Sequence, residues 1–150
     1  MPGRGPVVVL SVLAGLFFLR VLGQALVAFA GVTLLPPMSE WYSGLLPYPL
    51  LLPVQLVILL VQGKISLDLG RGHGFFVPRR PRAGRGLQRF AAVYVLAMVM
   101  RYALTMAWYP ERRWLGTGTI PIVFHWVLAA YLFTLGRFLA RSPAAERSAA

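Results

Sequence analysis

At 150 residues the chain has the length of one domain, and 58% apolar side chains, 15 glycines and only 13% charged residues make it too oily for a soluble domain, where about 25% of residues are charged. The net charge is +11 and cysteine is absent, which excludes disulfides, thiolate metal sites and cysteine nucleophiles. Two histidines, His73 and His125, are too few for a histidine-only metal cage, so no metal site is assigned.

A helix crossing the hydrocarbon core needs about 20 mostly apolar residues. Four segments qualify: Val7 to Leu35, Tyr48 to Leu67, Leu87 to Tyr109 and Ile120 to Leu139. Proline marks their limits: Pro36-Pro37 closes the first span, Pro47 and Pro49 open the second, Pro110 closes the third, and Pro121 begins the fourth. The fold expected is an all-α integral membrane protein, one four-helix transmembrane domain with an arginine-rich loop over 68–86 and a short disordered tail over 142–150. Ala28-Phe29-Ala30 superficially matches a signal-peptide cleavage site. The stretch before it stays apolar and holds Arg20, so the first span is read as retained.

Charge then sets the direction. Arg71, Arg79, Arg80, Arg82 and Arg85 crowd the second connection, with Arg89 just inside the third span, whereas the first connection carries Glu40 and no basic residue. Short arginine-rich loops stay in the cytoplasm, so both termini are expected inside, in a bacterial-type inner membrane. Trp41, Tyr42, Tyr48, Trp108, Tyr109 and Trp114 serve as aromatic anchors on the other side. The six arginines are read as contacts to anionic inner-leaflet lipid. Nucleic acid is not an expected partner: Phe75 and Phe76 are the aromatics available for base stacking there, and they are read as dipping into the membrane interface.

Polar side chains at membrane depth are the informative ones. The first span carries Arg20 and Gln24 at i and i+4, the second Gln55 and Gln62, the third Arg101 and Thr105 at i and i+4, the fourth His125. Arg20, Gln24, Gln55, Arg101, Thr105 and His125 are expected to converge on one pocket near the midplane and in the outer half, with Glu40 and Glu111 at its outer rim. A central arginine costs about 2.5–3.5 kcal/mol, while each Leu, Ile, Phe or Val returns about 0.3–0.6. The first span holds eighteen such residues and carries Arg20 easily; the third holds seven and leans on its neighbours to carry Arg101.

No acidic residue falls within these four spans, so both guanidinium groups lack a counter-ion there. Three resolutions are open: glutamine side chains and helix carbonyls, a lipid phosphate or other anionic ligand, or an acidic residue on a partner subunit's helix. His125 is read first as a hydrogen-bonding group, with axial ligation of a haem or pigment as the alternative. Lys64 reads as a snorkelling anchor. Gly15, Gly23 and Gly31, eight residues apart, are read as one close-packing stripe. No nucleophile motif surrounds Ser11, Ser39, Ser43, Ser66 or Thr105, and no catalytic residue is assigned.

Leu19-Arg20-Val21-Leu22-Gly23 within a four-span layout resembles DoxX-type small membrane proteins over those five residues. The lysine-bearing end of that family's helix is absent, and no residue role is taken from it. The function expected is a non-enzymatic accessory or assembly subunit that meets a partner helix, a second copy or anionic lipid through buried arginines. An oligomeric small transporter or lipid-handling protein is the alternative.

Overall fold

The computed structural model describes residues 4–41, 47–108 and 119–141. Among these there are five helices and no strand: α1 (Arg4–Ala30), α2 (Met38–Trp41), α3 (Tyr48–Arg71), α4 (Pro81–Trp108) and α5 (Thr119–Ala140). All but α2 are long and apolar enough to cross a membrane; the 27 residues of α1 reach about 40 Å at about 1.5 Å each. The chain is thus an all-α, multi-pass helical bundle. The connection between α4 and α5, Glu111 included, and the tail over 142–150 lie outside the described residues.

Local chemistry explains where the helices differ from expectation. The first ends at Ala30, not Leu35, because Gly31 turns into the left-handed region at φ 59°, a stop that costs glycine nothing. The second runs past Leu67 to Arg71 and stops at Gly72, φ 73°, whose N–H caps the Leu69 carbonyl at 3.3 Å. Asp68 therefore lies inside a span, where no acidic residue was expected. The third starts at Pro81 instead of Leu87. Proline at the first helical position gives up an N–H that had no intrahelical partner anyway, and the Arg80 carbonyl takes the Gly84 N–H at 2.8 Å. The loop expected over 68–86 narrows to 72–80, and α2 is an added turn in the first connection.

The distribution of polarity is the reverse of a soluble protein's. Leu60 is 74% exposed and Phe29 75%, with Val8, Leu96 and Met100 also outward, while Arg20, Gln24, Gln55, Gln62 and Asp68 are buried. α5 packs on α1 and α4, α3 packs on α1, and no close backbone approach joins α3 to α4 or α5. The apolar core lies at the arginine-rich end, where Leu10 meets Ile65, Leu69, Tyr131, Leu135, Phe138 and Leu139.

α4 and α5 meet glycine on glycine. A Cβ at Gly84 would lie 2.5 Å from the Ala140 nitrogen and 2.7 Å from the Gly136 oxygen. The stripe expected on α1 is not one: Gly15 faces open space, Gly31 ends the helix, and Gly23 alone of the three packs closely, beneath the Trp41 indole.

The 72–80 loop is held by its own charges. Lys64 pairs with Asp68, so it is an ion-pair partner as well as a long side chain near a helix end. Asp68 Oδ2 accepts the Phe76 N–H at 3.3 Å, and Gly74, φ 131°, leaves no space for a Cβ against that carboxylate. Arg79 donates to the Phe138 carbonyl and lies 3.9 Å over its ring, tying the loop to the carbonyl end of α5. Phe75 is exposed, but Phe76 packs against the apolar core instead of dipping outward.

Gly84→Ala should lower the thermal midpoint in detergent, on the scale of about 1–3 kcal/mol for overpacking. Gly15→Ala, with nothing within 4 Å, should leave it unchanged or raise it, since alanine gains about 1 kcal/mol over glycine in a helix. Differential scanning of both variants checks the α4–α5 contact.

Candidate functional site

Arg20 sits on the inward face of α1, 7% exposed, with Gln24 fully buried one turn later. Spacing of i and i+4 puts the two side chains on one face, and Arg20 Nη1 donates to Gln24 Oε1 at 2.8 Å. Nη2 donates to the Trp41 carbonyl at 3.2 Å. That carbonyl ends α2 and also takes Gln24 Nε2 at 3.5 Å. Trp41 is fixed in turn by its indole Nε1, which donates to the Pro36 carbonyl at 2.9 Å, and by lying on Gly23.

The donor chemistry orders the whole group. Guanidinium only donates, so Gln24 must present its oxygen to Arg20 and its nitrogen to Trp41. Gln55 must then give its own nitrogen to Gln24 Oε1, at 3.2 Å. This leaves Gln55 Oε1 buried without a partner among the described residues. Every group holding Arg20 is a neutral oxygen. The first of the three resolutions thus holds for Arg20, and its positive charge stays uncompensated within this cluster.

A cleft of about 250 Å³ opens beside the cluster. Arg20, Gln55, Tyr94 and His125 supply its polar lining, and Leu51, Val54, Ile58, Phe124 and Leu128 are among its apolar walls. Tyr94 stacks on Phe90 at 5.9 Å and meets His125 edge-on, with Tyr94 Oη and His125 Nδ1 2.5 Å apart. One imidazole nitrogen is left outside that contact. Arg101 is half-buried.

The structure therefore brings Arg20, Gln24, Gln55 and His125 to one place, while Arg101, half-buried on α4, does not line the cleft. Thr105 does not join them: its Oγ1 donates to the Arg101 carbonyl of its own helix at 2.9 Å. Glu40 lies half-buried on α2, its N–H bonded to the Pro37 carbonyl at 2.9 Å; Glu111 is outside the described residues. Arg71, Arg82, Arg85 and Arg89 are exposed, Arg80 covers the Phe75 ring at 4.1 Å, and Arg79 is bound to α5. No group of three metal-ligating side chains occurs among the described residues.

Two contributors escaped the sequence. Trp41 reads as an interfacial anchor, and nothing in its neighbourhood signals that its main-chain oxygen receives Arg20. Tyr94 shares a stripe with Arg101, at i−7, but its partner is set by how α4 lies on α5. No family model, curated protein or solved structure matches the chain. The five-residue resemblance to DoxX-type proteins is therefore no family assignment, and the site is argued from its own geometry.

Gln24→Leu strips the guanidinium of its nearest acceptor and leaves it the Trp41 carbonyl, a loss of about 1.5–3 kcal/mol for a hydrogen bond to a charged group. The Arg20→Leu/Gln24→Leu pair should recover much of that loss, because no charge is left to desolvate. A double-mutant cycle by denaturant unfolding in detergent measures the coupling; additive losses would contradict the bonding pattern.

Proposed function

We propose that this chain is a non-enzymatic membrane protein that holds the headgroup of an anionic amphiphile in the Arg20 cleft. The observation carrying this reading is a buried guanidinium held by neutral oxygens at the edge of a cleft whose other polar groups, Gln55, Tyr94 and His125, carry no carboxylate and whose remaining walls are apolar. An anion there gains charge-assisted hydrogen bonds in a medium that screens little. Gln55 Oε1 adds a demand of its own, a donor on the ligand. A phosphodiester bearing a hydroxyl, as in a glycerol-type phospholipid headgroup, meets both: phosphate oxygens accept from Arg20, and the hydroxyl donates to Gln55. At about 250 Å³ the space is smaller than the roughly 300–1,000 Å³ of drug-sized ligand sites, which suits a headgroup with its acyl chains left in the bilayer.

The charge distribution supports an orientation. With Arg71, Arg82, Arg85 and Arg89 at the cytoplasmic face of an inner membrane, contacting anionic inner-leaflet lipid, the cleft lies toward the outer leaflet. A partner subunit's carboxylate in the same place is the competing reading. The outward face of α4, with Phe90, Val93, Leu96 and Met100 exposed, favours it as a surface on which a partner helix could lie.

Native mass spectrometry from nanodiscs containing equal phosphatidylglycerol and phosphatidylethanolamine tests the proposal. The protein should retain phosphatidylglycerol selectively, and Arg20→Gln and Gln55→Leu should each reduce retention about tenfold, as expected for the loss of about 1.4 kcal/mol. Equal retention of both lipids, unchanged in the variants, would contradict it; a stoichiometric co-purifying membrane subunit would favour the partner reading.

A further inference from the structure

A second group of buried polar atoms lies closer to the arginine-rich end than the cleft. Gln62 is 3% exposed with neither side-chain atom hydrogen-bonded to a described residue, and Tyr131 is 2% exposed with its hydroxyl in the same condition. Ser66 Oγ completes the set. Gln62 and Ser66 are at i and i+4 on α3, so they share a face. Tyr131 comes from α5 and is packed in one cluster with Ile65 and Leu69 of α3 and Leu10 of α1. These donors and acceptors thus border the same seam between α1, α3 and α5.

Burial without partners costs about 1–3 kcal/mol for each group, which makes four such atoms in one seam an anomaly that demands an occupant. Amide, hydroxyl and phenol offer both donors and acceptors and no net charge, the chemistry that holds water, not an ion. A buried water takes about three hydrogen bonds, which this set can supply.

We propose that Gln62, Ser66 and Tyr131 line an internal water site. It continues the polar surface of the cleft along α3, where Gln55 and Gln62 are two turns apart on one face, toward the Lys64–Asp68 pair. The apolar bundle thereby carries a hydrated polar seam through much of its depth. The inference stands apart from the lipid reading, because none of these three residues lines the cleft.

Hydroxyl-radical footprinting of the full chain in nanodiscs tests it, because radiolysis generates radicals from water where the water sits. Tyr131 and Phe138 are equally buried in the same cluster, so Phe138 is the dry control. Normalised to the unfolded chain, Tyr131 should be oxidised at least fivefold faster than Phe138. Tyr131→Phe should lower the thermal midpoint, by removing a ligand of the water. Equal oxidation of the two rings would overturn the proposal, as would a raised midpoint in Tyr131→Phe, the result expected for an unpaired hydroxyl in a dry core.

Discussion

The guanidinium of Arg20 against the oxygens of Gln24 and Trp41 is the interaction on which the rest of the bundle depends. A cation in oil must find acceptors, and the network that supplies them joins three parts of the chain: α1, which carries the charge and Gln24, α2, whose terminal carbonyl faces it, and α3, whose Gln55 Nε2 donates to the same Gln24 oxygen. The close seat of Trp41 on Gly23 and the indole bond to Pro36 follow from placing that carbonyl. Because all the acceptors are neutral, the charge is solvated but not cancelled within the cluster.

Two copies of the same sequence pattern show what can be read in advance and what cannot. Arg20 with Gln24 and Arg101 with Thr105 are both a deep arginine with a polar residue four places on. The glutamine amide is long enough to reach the guanidinium, whereas the threonine hydroxyl sits on Cβ and reaches only the preceding turn's carbonyl, as such residues do in helix interiors. The spans themselves were legible because apolar length and proline mark their limits. Facing was not: the apolar residues of α1 and α5 surround the whole helix, as lipid permits, so no amphipathic stripe announces the inward side.

Helix ends and loops were legible only where the chemistry is local. Gly31, Gly72 and Pro81 each act through their own backbone, yet whether a glycine stops a helix or packs a seam depends on the neighbour it meets. Gly23 and Gly84 meet an indole and another helix, while Gly15 meets nothing. The role of Asp68 depends on a loop folding back over it, and Lys64 one turn earlier is the sole hint of a fixed carboxylate. The four spanning helices followed from apolar length and proline; the contacts between them did not, because they come from tertiary packing.

The account turns on the Arg20 charge being met by an anion from outside the chain. Solid-state NMR of the protein, arginine-labelled with nitrogen-15 in phosphatidylglycerol bilayers, tests this through nitrogen–phosphorus dephasing. The difference between wild type and Arg20→Lys isolates the Arg20 guanidinium. The account predicts strong dephasing of those nitrogens by lipid phosphorus. Arg20 nitrogens with no phosphorus nearby, in a sample whose exposed arginines do dephase, would contradict it.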